Sequence, residues 1–279
     1  MDADGAARTH GGPSAAAATW AVFRFEAERR LRASVLLAVG LSAFGLLFVW
    51  IVPDIVAGGN IEEVLASLPP AIVALLGFDT AASVEGLLAG EFYTFGWVVG
   101  LAGYVGYSGA TAVSAPLGDD RLETLLAAPV ARGSVLAGTF LALLVPVAVV
   151  NAVVPVVLYA GSRALGAPLS AGGLAAVHAL SVPFLLTWGA VGVLSGVVVR
   201  RGRTAGRVVL ALVFGAWLVE SVTSISTYAW VGAVSPSRQF DAAAVLVDGR
   251  LDVAGAATLA VVTVAVLLAA QAVFARRDL

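Results

Sequence analysis

Six long apolar runs, at roughly 33–52, 94–117, 135–159, 174–199, 208–231 and 253–275, constrain this chain more than any other feature. Each is nearly free of charge, with Glu220 the exception. A helix needs about 20 apolar residues to cross a bilayer core, and each run supplies that length. Strands of a membrane barrel alternate in polarity and are about 10 residues long. These runs are continuously apolar and rich in Ala, Leu and Val. They predict an all-α polytopic membrane protein with six transmembrane helices. Composition agrees: 60% of residues are hydrophobic and 12% are charged, far from the balance of a soluble domain.

The arginines orient the spans. With the N-terminus inside, the inner segments hold Arg8, Arg24, Arg29, Arg30, Arg32, Arg121, Arg132, Arg200, Arg201, Arg203, Arg207, Arg276 and Arg277. The outer segments hold Arg163, Arg238 and Arg250, while the acids Asp54, Glu62, Glu63, Asp79, Glu85, Glu91, Asp241, Asp248 and Asp252 lie outside. A bias of 13 against 3 follows the positive-inside rule and puts both termini in the cytoplasm. The chain has no Cys, which excludes disulfides and thiolate chemistry. It also has no Lys, so it cannot form a G-x-x-x-x-G-K-[ST] phosphate loop. If ATP drives this protein, another chain binds the nucleotide.

Residues 1–19 are expected to form a disordered cytoplasmic tail, and 20–279 a single membrane domain. A secretory signal fits poorly: the first apolar run starts late and is too long for an h-region. Arg29-Arg30 reads better as an inside anchor than as a twin-arginine signal. Residues 20–32 predict an amphipathic helix lying at the inner surface. Trp20, Phe23, Ala27 and Leu31 share one face, and Glu26–Arg30 and Glu28–Arg32 stand at i,i+4. Val22 and Phe25 fall on the charged side; the alternative is a continuation of span one. The outer loop 53–93 contains a weakly amphipathic piece, 64–78, expected to form a small helix pair.

The segment Gly118–Ser134, GDDRLETLLAAPVARGS, separates spans two and three on the inner side. Leu122, Leu125 and Leu126 fall on one helical face, flanked by Asp119, Asp120, Arg121, Glu123 and Arg132. Pro129 ends the pattern. A short cytoplasmic helix able to enter a partner's cleft is expected.

Chemistry inside the membrane finds little support. Gly106-Tyr107-Ser108-Gly109 matches a rhomboid-type GxSG pattern, and His178 lies in another span. Their expected depths differ by more than 10 Å on the helical rise, too far for a general base. Gly96, Gly100, Gly103 and Gly106, followed by Ala110, instead read as a small-residue packing face; Gly189, Gly192 and Gly196 repeat the device. Glu220, placed slightly past the midplane, is the one acid in a span and a candidate for substrate or proton handling. It alternatively satisfies backbone freed in the polar run 221–228. Asn151 reads as an interhelical hydrogen-bond donor. Two distant His and no Cys make a poor metal ligand set; no catalytic, cofactor or metal site is expected in this chain.

Three motifs resemble the permease subunits of exporter-type ABC transporters, the second permease class (NosY-like membrane subunits). The first is Asp119–Arg132, where Leu122-Glu123-Thr124-Leu125-Leu126, Pro129-Val130 and Arg132 carry the match. The second is Ser235-Pro236 with Asp241 and Leu246-Val247-Asp248-Gly249. The third is the C-terminal Phe274-Ala275-Arg276-Arg277-Asp278-Leu279. Arg238-Gln239-Phe240 replaces the family's aromatic-rich run, and Arg121 stands where many members have Gly. The resemblance covers about residues 20–279. It implies a non-enzymatic transport subunit in the plasma membrane, paired with a second permease copy (homodimer or related heterodimer). ATP and Mg would sit on separate ABC ATP-binding subunits docked at 119–132, and transport would proceed by alternating access. The alternatives are an ion-coupled secondary transporter using Glu220 and a non-transporting scaffold. No nucleic-acid partner is expected.

Overall fold

The structure, a computed structural model, describes residues 14–57, 66–69, 72–73, 83–118, 131–199, 201–224 and 226–276, with the side chains of 52–57 and 115–118 excepted. Among them there is no strand. Helix α1 runs unbroken from Ala15 to Ala57. Its N-cap is Ser14, whose hydroxyl accepts from the Ala17 amide at 3.3 Å. The helix thus begins inside the stretch expected to be tail. It also joins residues 20–32 directly to the first apolar run. No Gly or Pro lies between Trp20 and Val39, so nothing ends the helix at the expected boundary. The separate surface helix is replaced by one helix of 43 residues, about 65 Å long at 1.5 Å per residue.

The second apolar run has a different build. Helix α2 (Val84–Leu87), a π-helical stretch (Leu88–Leu101) and α3 (Ala102–Gly118) follow without a gap. π-Helices usually occur as single turns; this one continues for 14 residues. Its wider turns bring the Phe92 and Trp97 rings, five residues apart, to 5.4 Å. Residues five apart do not face each other on an α-helix, where neighbours are three or four apart.

The third run forms α4 (Arg132–Ala142) and α5 (Leu144–Ala164), separated only by Leu143. Pro146 explains the interruption, because it has no N–H to offer the Ala142 carbonyl. A tight turn follows α5, with Gly166 at φ 77°, a conformation that glycine adopts without strain. Helix α6 (Ala171–Val198) is capped by Ser170, whose Oγ accepts from Gly173 N at 3.2 Å. Helix α7 (Gly202–Thr223) stops well before the expected 231. Its terminal hydroxyls bond to nearby carbonyls: Thr223 to Val219, Ser224 to Ser221 and Ser226 to Thr223, at 2.7, 3.0 and 2.9 Å. Such local bonds compete with helix continuation. The chain then folds through α8 (Ala229–Gly232), a 3-10 turn (Pro236–Gln239) and α9 (Ala242–Leu246) before α10 (Val253–Ala275).

Five helical segments are long and apolar enough to cross a membrane: Ala15–Ile51, Arg132–Ala164, Ala171–Val198, Gly202–Thr223 and Val253–Ala275. Helix α6 is the hub, packed against α3, α5, α7 and α10. Helix α1 lies parallel to α4 and α5. The Ser134 hydroxyl donates to Ala15 O at 3.1 Å, and a Cβ on Gly138 would lie 2.7 Å from Thr19 O. The interior holds Phe92, Tyr93, Trp97 and Phe184 fully buried. The outside is apolar too, with Leu36, Trp50, Phe214, Val261 and Leu268 exposed, as a lipid-facing surface requires.

Candidate functional site

The ends of three helices meet where α4 begins. Arg132 is its first residue. A Cβ on the next residue, Gly133, would lie 3.0 Å from Gln271 Nε2 of α10, and the first turns of α1 run alongside. Asp119, Asp120, Arg121, Leu122, Glu123, Leu125, Leu126 and Pro129 lie outside the described residues; they connect α3 to this meeting point. The expected outer helix pair at 64–78 also lies mostly outside them.

The face that α1 buries here differs from the expected one. Trp20 and Leu31 are exposed, whereas Ala18 and Arg30 are buried and Glu26 is nearly so, its side chain 17% exposed. Packing against α4 selects this i,i+4 row, so the buried stripe includes an ion pair. Arg30 Nη2 donates to Glu26 Oε2 at 3.0 Å. Arg29 Nη1 also approaches Glu26, at 3.5 Å. Glu28 pairs with Arg24 at 2.9 Å rather than with Arg32, correcting the expected Glu28–Arg32 contact.

A polar thread crosses the bundle between the π-helical stretch, α5 and α6. Trp97 Nε1 donates to Ser181 Oγ at 3.2 Å. The Ser181 hydroxyl lies 2.9 Å from Asn151 Oδ1 and 2.7 Å from the His178 carbonyl. Asn151 Nδ2 donates to Val147 O of its own helix at 2.9 Å. Asn151 therefore accepts across the interface, the reverse of the expected role. His178 Nδ1 lies 2.8 Å from Leu174 O, which assigns the proton to Nδ1. The ring packs edge-on against Trp97 and Tyr93, with centroids at 5.0 and 5.6 Å. Sequence reading missed Tyr93, Trp97 and Ser181, because the first two lie in the π-helical stretch, whose faces an α-helical period misassigns.

The glycines sort by helix geometry. A Cβ on Gly192 would overlap the Gly106 carbonyl, and one on Gly196 would overlap that of Ala110. A Cβ on Gly109 would meet Gly189 O at 2.8 Å. The α3–α6 crossing is thus a backbone-to-backbone contact that only small residues allow. Gly103 faces Leu210 of α7, at 3.1 Å from its would-be Cβ. Gly96 lies near Leu41 of α1, at 3.4 Å. Gly100 is exposed and meets only the Phe95 carbonyl of its own helix. The π-helical turn rotates it off the face that Gly106 occupies.

Glu220 lies in the last turn of α7, about 27 Å from Gly202 at 1.5 Å per residue, against a hydrocarbon core of about 30 Å. It is near the C-terminal end of this helix, away from the middle where the sequence reading placed it. Its Oε1 is 3.5 Å from Arg238 Nη1, and Arg238 also donates to Ala229 O at 3.0 Å. The other oxygen, Oε2, is buried without a hydrogen-bond partner and lies against Gly232. Glu220 thus clasps the segment that follows α7. Nearby acids hold the turns between α7 and α10: Asp241 and Asp252 cap α9 and α10 at 2.9 and 2.7 Å. Asp248 pairs with Arg250 at 2.6 Å, raising an already high guanidinium pKa through that hydrogen bond. Among the described residues no group of three or more His, Asp or Glu could hold a metal.

No family model matches the chain, and a search of curated proteins finds no match either.

Proposed function

We propose that this chain is the membrane-spanning permease subunit of an ATP-driven, exporter-type ABC transporter. Val84–Gly118 serves as a sixth span beside the five apolar helices, with both termini in the cytoplasm of a plasma membrane. Two copies, or this chain and a relative, form the translocation unit and alternate between inward- and outward-open states. Separate ATP-binding subunits supply the energy, since the chain has no Lys for a phosphate loop.

The observation that carries this reading is the segment 119–132. It joins two apolar helices on the arginine-rich side, and its apolar row Leu122, Leu125 and Leu126 is flanked by charge of both signs. An amphipathic turn of this kind suits a groove on a partner, and the flanking charges suit register and specificity. The meeting of α1, α4 and α10 at Arg132–Ser134 offers a lever: a push on the segment reaches three helices. The family motifs at 119–132, 235–249 and 274–279 support the same reading. An ion-coupled mechanism is less well served, because Glu220 already pairs with Arg238 at the outer end.

The test is association with the ATP-binding subunit. Leu122→Asp combined with Leu126→Asp should abolish co-purification, while membrane insertion, checked by carbonate extraction, persists. A correctly inserted double variant that still binds fully would sink the docking surface.

A further inference from the structure

A groove of about 460 Å³ lies between α5 and α6, away from the inner docking segment. Pro155, Val156 and Tyr159 form one wall. Ala171, Ala175 and Ala179, at successive i,i+4 positions, form the other. The groove is open to the side: Val156 is 65% exposed, and all three alanines are exposed. Its walls are mostly apolar, with Asn151 and His178 as polar exceptions; Asn151 is already paired with Val147 and Ser181, so a hydrocarbon chain breaks no hydrogen bond within the protein by entering.

The mouth is cationic. Arg163 lies one turn beyond Tyr159, with its guanidinium carbon 4.7 Å from that ring's centroid. No carboxylate among the described residues pairs with it. The N-terminus of the 28-residue helix α6 opens at the same end, since Ala171 is both its first residue and part of the wall. Helix N-termini carry partial positive charge, the same sign as Arg163, and both kinds of group suit a phosphate. Apolar walls of lipid-chain width below a positive mouth match one class of molecule in both respects.

We propose that this groove holds one anionic membrane phospholipid, with an acyl chain between α5 and α6 and its phosphate at Arg163 and the α6 N-terminus. The site is separate from the proposed ATPase docking and does not depend on it. A bound lipid would wedge α5 from α6 beside the Trp97–Ser181–Asn151 thread, coupling bilayer composition to the packing of the bundle.

Native mass spectrometry of the full chain tests this, after reconstitution in nanodiscs of equal parts phosphatidylglycerol and phosphatidylcholine. Wild type should retain one phosphatidylglycerol in preference to phosphatidylcholine. Arg163→Gln should lower that preference about fivefold, the weight of one basic side chain at a membrane surface. Ala175→Trp, which fills the groove from an exposed position, should lose the retained lipid of either kind. Ala179→Phe provides a second block if the tryptophan variant misfolds. Retention unchanged in both groove-filling variants would overturn the site. Preference unchanged in Arg163→Gln would overturn the phosphate contact. Equal retention of both lipids by wild type would overturn the anionic class.

Discussion

At the scale of single residues, charge position decides what each group does. Glu26 and Arg30 lie on the buried side of α1, with side chains 17% and 10% exposed. Arg24 and Glu28 pair in the open, at 73% and 65%. Removing one member of a buried pair leaves the other without compensation, whereas exposed i,i+4 pairs contribute about 0.3–0.5 kcal/mol. Glu26→Ala should therefore destabilise the detergent-solubilised protein by about 2 kcal/mol or more. Glu28→Ala should cost well under about 1 kcal/mol; thermal aggregation midpoints compare the two. Glu220 supports a related prediction. Its partner Arg238 is 39% exposed and stays solvated when the pair is broken, so Glu220→Gln should cost less than Glu26→Ala and leave the proposed transport running. Complete loss of transport with normal folding would mean that the carboxylate handles an ion or substrate.

At the scale of elements, the α3–α6 crossing brings backbone against backbone. The Cβ of Gly192→Ala would enter the Gly106 backbone, and overpacking of this kind costs about 1–3 kcal/mol. Gly40→Ala, on α1 with nothing within 4 Å of its new Cβ, should instead be neutral or stabilising by about 0.5–1 kcal/mol. Measuring both variants by the same thermal assay checks the contrast, and a destabilised Gly40→Ala with an unaffected Gly192→Ala would contradict it. Hydropathy located the apolar middle of each helix, and α10 begins and ends where its apolar run does, but α1 and the α4–α5 pair extend beyond their runs and α7 stops short of its own. What hydropathy could not show was phase. Gly96 and Gly100 were placed on the Gly106 face by an α-helical period, but the π-helical stretch turns more widely and carries Gly100 outward. The α1 surface was misread for a related reason: its amphipathic pattern implies a membrane interface, whereas its partner is α4. The early end of α7 was signalled by the polar run 221–228, whose hydroxyls capture the last carbonyls.

For the whole molecule, the orientation expected from arginine placement is directly measurable, because the chain has no Cys. A membrane-impermeant maleimide should label Val234→Cys, at a position 88% exposed, in intact cells. Arg276→Cys should react only after permeabilisation. Labelling of both from the same side would break the inside assignment of the docking segment. For function the sequence offers only a resemblance in three motifs, and the cargo of the proposed transporter would depend on cavities between chains that one sequence does not encode in a local pattern. The inner segment 119–132 therefore carries the account. The most direct measurement is affinity purification of the tagged chain from the membranes of its own host, followed by native mass analysis of the assembly. An ATP-binding subunit recovered in equal number with this chain, in a complex containing two permease copies, is the predicted result. A folded chain that purifies reproducibly without any ATP-binding protein would contradict it.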